Sequence, residues 1–529
     1  MSDKLQALFI KKYFGNHIAC STASDFAVST PQYEQLSNDL LIMLIFNYLY
    51  AIIQTDTIVA NIRKKEKNMK TLKFNGNFIK TALRLAIPIA FQNLLTSCAT
   101  LVDTAMVVGL GNDATSAMGV ASRFSFLLNV ICFGFASGCS ALLSQYWGAG
   151  DRVNIRRSTG FAMTVAMGFG IVYTAALLAF PTALAGIFTD NETISALAGE
   201  YLSTFAFAVP FLIFSQIMCI ALRSVESVVI PLVSSFVSVG VNIFFNYCFI
   251  GGHLGFPALG LRGAAIGSVI GCTMQTIVIV IAVFVTNTPF RGGAKDFFSF
   301  SFPFVKKYFR IAAPVLLNET MWAIGTNVYV MVIARQGVEN HAGYTLYENI
   351  QQLFFVFFVG ICGAAAVMVG MNVGKGEHEE AYLVARKFAI MTPCAGVVLG
   401  GILIALRDPI LSLFPIETET ARSVASDCLL FYGCWIAIRM IQYTLVCGVF
   451  RAGGDTKTGC IYEMIGLYGV GIPAVLITGF LIRPTHFVVI IIVMFVAEDV
   501  SKGILCIRHF RSRKWIKQIT DNVPKEENI

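Results

Sequence analysis

Three ionisable residues interrupt stretches that are otherwise almost free of charge: Asp103, Glu319 and Arg439. Asp103 lies about 19 residues into its apolar stretch, roughly 28 Å along a helix. A carboxylate at membrane depth costs at least about 2.5 kcal/mol, and desolvation penalises its charged form. Such a group suits the uptake of a proton, or the offer of hard oxygen to sodium. The structural alternative is a capping or packing carboxylate near the end of its helix. Glu319 lies about nine residues, roughly 13 Å, into its own stretch, and Arg439 sits mid-stretch. They are expected to neutralise one another, or to act as a substrate or second charge site. Asn242 and Asn246 are four residues apart and so share one helix face.

The elements that carry these residues follow from composition. The chain has 529 residues, of which 56% are hydrophobic and only 13% charged, against about 25% charged in an ordinary soluble domain. A soluble fold could not hide so much apolar surface. Apolar runs span residues 84–109, 119–147, 158–184, 201–222, 229–251, 261–286, 308–335, 345–373, 385–411, 428–450, 459–482 and 486–507. At about 20 residues per crossing, this is an all-α polytopic membrane protein with 12 transmembrane helices. The net charge of +8 reports topology and implies no nucleic acid. Alternate loops hold 13 Lys and Arg (Arg152 to Lys457) against five (Arg262, Arg335, Arg407, Arg422, Arg483). By the positive-inside rule both termini are cytoplasmic. The 14 cysteines form no CxxC pair, so no zinc or redox motif is indicated; they read as small buried hydrophobes.

The halves repeat. Residues 83–88 (LRLAIP) match 309–314 (FRIAAP) at an offset of 226, and the same offset pairs Gly111 with Gly337, Gly134 with Gly360, Gly148 with Gly374, Gly150 with Gly376 and Gln216 with Gln442. Two six-helix bundles related by a pseudo-two-fold axis along the membrane normal are expected, residues 80–290 and 291–510, with alternating access between them. A cytoplasmic tail follows at 511–529. Residues 1–79 read as a poorly ordered extension, with Met69 a candidate true start. The in-membrane carboxylates break the repeat, because Asp103 pairs with Tyr329 and Glu319 with Asn93.

Four stretches resemble the multidrug and toxic compound extrusion (MATE) family, bacterial type. They are residues 102–111 (VDTAMVVGLG), 145–151 (QYWGAGD), 231–268 with its Asn242, Asn246 and the segment 255–268 (GFPALGLRGAAIGS), and 450–457 (FRAGGDTK). The resemblance implies a cation-coupled antiporter in the plasma membrane, the bacterial inner membrane, acting as a monomer on small organic substrates, with proton or sodium as coupling ion and no cofactor. It also implies a cation-binding site of Asp103, Asn242, Asn246 and Ser268, with sodium at Asp103 as the metal alternative. Some members have Asp at the position of Asn246. The family often has a Glu in the seventh helix, further beyond the proline than Glu319 lies from Pro314, and many members have an acid near Arg439.

A flippase for lipid-linked saccharides or another amphipathic lipid is the alternative, favoured by Arg439 alone. An enzyme is not expected, since there is no HExxH or GxSxG and no mid-span His. Pro88, Pro210, Pro314, Pro393 and Pro473 mark places where a span can bend. Gly134 and Gly138 form a small packing face.

Overall fold

In lipid a segment must satisfy its own backbone hydrogen bonds, and the apolar runs accordingly fold as helices. The computed structural model describes residues 76–414, 418–484 and 486–520. Twelve long helices follow in order. They are α1 (Gly76–Val108), α2 (Asn112–Ala149), α3 (Arg152–Ala179), α4 (Glu192–Ser224), α5 (Val229–Gly251) and α6 (Leu261–Val285). The second half gives α7 (Phe302–Ala334), α8 (Val338–Gly374), α9 (His378–Ala405), α10 (Glu419–Phe450), α11 (Thr456–Ile482) and α12 (Val488–Ser512). Among the described residues ten of these are long and apolar enough to cross a membrane. The exceptions are α7, which carries the polar run Asn318, Glu319 and Thr320, and α12, which carries Glu498, Asp499 and Lys502. The expected boundary at residue 80 falls inside α1, and the candidate start at Met69 lies outside the described residues.

The repeat is written in the backbone as well as the side chains. Gly111 and Gly337 turn the chain from α1 to α2 and from α7 to α8 with φ of 104° and 117°. Gly150 and Gly376 end α2 and α8 with φ of 76° and 78°. Glycine enters this region without a Cβ penalty, which explains why both positions repeat. Packing repeats too: α1 lies along α8, and α7 lies along α2. Gly134 meets Leu316 while Gly360 meets Ala90, and each of these contacts is the other shifted by 226 residues. At one end of the bundle α2 and α8 cross backbone to backbone, with Gly148 against Met371 and Gly374 against Gln145. This end carries the start of α1 and the end of α12; it is called the basic end below.

Residues 513–520, directly after α12, are not a loose tail. Trp515 is fully buried and stacks on Phe510, and Lys517 N donates to Gly453 O at 2.7 Å. Gln145 of α2 ties the segment to the first half. Its Nε2 donates to Ala452 O at 2.8 Å, and its Oε1 accepts from Ile519 N at 2.8 Å. Asp455, at the start of α11, receives Thr458, His509 and Lys517, each at 2.8 Å. Residues 513–520 therefore stitch the two halves together at the basic end.

Two expected outcomes follow from this closure. Gly148→Val or Gly374→Val would drive a side chain into a facing main chain, an overpacking cost of about 1–3 kcal/mol or more. Trypsin should then cut at Lys514 and Lys517 faster than in the wild type, and unchanged cleavage would show that the crossing does not hold the tail. The second outcome concerns Asp455. Burial pushes its carboxyl up, but hydrogen bonds from Lys517, Thr458 and His509 outweigh burial and hold it below the usual carboxylate range. A depressed carboxylate stabilises above its unfolded pKa and loses that contribution as pH falls through the folded value. Tail protection should thus stay constant from neutral pH down to about 4 and fail only below it, while Asp455→Ala should expose the tail at every pH.

Candidate functional site

Asp103 stands five residues before the end of α1, half-buried. The α5 face predicted to carry Asn242 and Asn246 does turn toward it. Asn246 Nδ2 donates to Asp103 Oδ1 at 2.7 Å. With its amide oriented to satisfy both ends, Asn242 donates to the same oxygen at 2.8 Å and accepts from Ser268 N at 3.2 Å. Asn246 is fully buried and Asn242 nearly so. Close approach of α5 and α6 makes this possible: the Asn246 amide sits where a Cβ on Gly267 would be. Tyr201 of α4, also buried, lies beside Ser268 and within electrostatic reach of Asp103. The structure thus brings together all four residues expected at this site. No described base pairs with Asp103; its hydrogen-bond partners are neutral amides.

Glu319 and Arg439 are not brought together, which corrects the expected pair. Arg451 takes Glu319, through NH2 to Oε1, and its NH1 donates to Ser137 Oγ of α2 at 3.0 Å. Arg451 reads from sequence as part of a loop, yet it continues the helix beyond α10 and is 5% exposed. Arg439 instead meets Asp499 of α12 at 3.0 Å and lies over the Phe495 ring at 4.5 Å. Trp435 Nε1 (2.8 Å) and Gln442 Nε2 also donate to Asp499.

Sequence reasoning missed Asp499 and its neighbours. Lys502 joins Glu463 of α11 at 2.7 Å and Glu498 at 3.1 Å, and Tyr329 of α7 donates to Glu498 at 3.3 Å. The available signal was the spacing of Glu498 and Lys502, four apart on one helix face. Around this cluster α10 and α11 wind as π-helix at Thr444–Phe450, Ile465–Gly471 and Ile477–Ile482, a distortion that recurs at functional sites. Elsewhere, an apolar cleft of about 280 Å³ between α3, α4 and α6 is lined by Met163, Phe214, Met218 and Phe284 and holds no ionisable side chain.

Among the described residues no group of three or more His, Cys, Asp or Glu could hold a metal ion together. Asp103 with its amides offers oxygen to a single monovalent cation, or takes a proton. Either changes the charge near the C-terminal end of α1 by one.

Comparison with known proteins agrees with this architecture. The MatE family profile matches twice, over residues 88–248 and 314–477, and the matches begin 226 residues apart (314 against 88), the offset of the internal repeat. "Probable multidrug resistance protein NorM" of Thermotoga maritima is 22% identical over 443 residues, covering 83% of this chain and 93% of that protein. "Multidrug resistance protein MdtK" of Cronobacter sakazakii is 25% identical over 423 residues, covering 77% and 88%. A solved structure described as MATE in the bent conformation superposes with a TM-score of 0.74 at 18% identity, covering 83% of this chain and 97% of that one.

Proposed function

Since the chain belongs to the MatE family of membrane transporters, we propose that it is a cation-coupled antiporter that exports hydrophobic or cationic organic compounds. The similar proteins named for multidrug resistance support the substrate class. One observation supports the coupling: Asp103 is a carboxylate inside a span whose partners are amides rather than a base. A carboxylate neutralised by Arg or Lys would have little need of a mobile ion. This one changes state when a proton or sodium arrives, and the resulting change of charge biases the two bundles between inward and outward access. In this reading the basic end faces the cytoplasm of a bacterial inner membrane, and the protein acts as a monomer.

The lipid flippase reading drew on a basic central cavity with Arg439 as its one pointer. Asp499 neutralises that guanidinium, which favours export of organic compounds instead.

Ethidium efflux from a pump-deficient bacterial strain tests the proposal. Efflux above the empty-vector strain is expected, and dissipating the proton and sodium gradients separately names the ion. No efflux from correctly inserted protein, across a panel of cationic dyes, would overturn it.

A further inference from the structure

Residues 286–301, which join α6 to α7, do more than cross from one bundle to the other. They fold back over the start of α3. The Phe297 carbonyl occupies the place of a Cβ on Gly160, and the Phe161 and Phe300 rings meet edge-on at 5.1 Å. α3 and α6 both pack on α4 but scarcely touch one another. The apolar cleft of about 280 Å³ is what this leaves: α4 forms its floor, α3 and α6 its walls, and Phe290 and Phe297 of the linker close it at the basic end. Its rim residues Phe284 and Phe298 are each more than half exposed, which suits entry from the bilayer.

Charge gathers at one end of this cleft. Arg156 stands one turn before Gly160 and packs on the lining residue Gly292, with Cδ 2.8 Å from where a Cβ there would be. Its NH1 donates to Arg291 O at 2.8 Å, and its Nε lies 3.7 Å from Asp296 Oδ2. Arg291 and Lys295 flank Gly292 and are exposed. Asp296 is the one acid among residues 286–301, and it is already engaged by Gly293 N at 3.1 Å and by Arg156. Three bases against one acid leave two positive charges in excess. Basic side chains at a membrane border often do no more than snorkel. Arg156 does not: its side chain is 19% exposed and is held in place at the mouth of the cleft.

A cationic mouth above an apolar slot is the layout of a phospholipid, and basic pockets between membrane helices hold anionic headgroups. Guanidinium groups in particular match phosphate oxygens. The same excess of charge disfavours an organic cation. From Arg156 to Met163 α3 rises about 10 Å, room for the upper part of an acyl chain. We propose that the cleft binds one anionic phospholipid from the leaflet at the basic end. Arg156, Arg291 and Lys295 take its phosphate, and an acyl chain lies between α3 and α6 over Met163, Phe214 and Met218. A lipid seated there ties the linker to the first bundle, and through the linker it bears on the movement of one half against the other. The site does not rest on the export reading.

Photolabelling of the purified full chain in lipid nanodiscs tests this. The probes are phosphatidylglycerol and phosphatidylcholine with the same diazirine-bearing acyl chain, and peptide mass spectrometry locates the adducts. Phosphatidylglycerol should label Met163, Phe214 and Met218 in preference to phosphatidylcholine. Arg291→Gln combined with Lys295→Gln should lower the apparent affinity for phosphatidylglycerol, titrated as mole fraction, about 30-fold. Both side chains are exposed, so the double variant should melt with the wild type; the comparison of the two lipids on unaltered protein requires no variant. Equal labelling by the two lipids would reduce the cleft to ordinary lipid contact and overturn the proposal. Displacement of the label by ethidium would also overturn it, because the cleft would then take organic cations.

Discussion

Asp103→Asn protein, inserted at the wild-type level, is expected to export ethidium at least about 100-fold more slowly than wild type. The substitution keeps the shape of the side chain and removes its capacity to hold a proton or a cation. It also removes the reason for the surrounding amides. Asn246 and Asn242 both donate to Asp103 Oδ1, and hydrogen bonds to a charged group are worth about 1.5–3 kcal/mol each. A neutral amide gives up that advantage twice and can turn its own NH2 toward theirs. Initial efflux rates at matched expression provide the measurement. Equal rates would make Asp103 a packing residue.

Arg451→Met should be the most damaging single change in the second half. The Arg451–Glu319 pair has side chains 7% and 13% exposed, so removing the base leaves a carboxylate with no counter-charge. Breaking one partner of a buried pair costs about 3–5 kcal/mol, whereas replacing both is often close to neutral. Glu319→Gln combined with Arg451→Met should therefore recover most of the thermal stability lost by Arg451→Met alone, as measured by detergent-solubilised melting. It should not recover the contact from Arg451 to Ser137 of α2, so the two halves remain less firmly tied and efflux stays below wild type. Failure of the double variant to melt higher than Arg451→Met would show that the pair is not the source of the loss.

The helices were legible because lipid imposes a simple rule on length and polarity. The fifth span, expected at 229–251, matches α5 (Val229–Gly251), and the others differ mainly at their ends. Helices run on past the apolar core into segments whose charges the hydropathy reading discards, as Asn112 to Met118 do at the start of α2. The first-half site was legible for a related reason. Asp103 is conspicuous in an uncharged run, and Asn242 and Asn246 obey the helical spacing that puts them on one face. The second half was not. A sequence shows that Glu319 and Arg439 have opposite charge and lie at membrane depth, but not how far each helix is rotated. Here π-helical winding over Thr444–Phe450 alters the phase between Arg439 and Arg451. Glu498, Asp499 and Lys502 escaped for another reason: they fall inside the expected span 486–507, and only their partners on α10 and α11 show what they pair with.

The exchange of partners between halves, α1 on α8 and α2 on α7, also sets a timetable for biogenesis. When α2 leaves the ribosome, Gly148 must wait for Met371, 223 residues later. At about 5–20 residues per second this is roughly 10–45 s. Gln145 waits for Ile519, 374 residues on, or roughly 20–75 s. Throughout that interval the first six helices present an unmatched small-residue seam to the bilayer or to the insertion machinery. Residues 513–520, which close the basic end, emerge after all twelve helices, so a chain stopped before them lacks the means to shut.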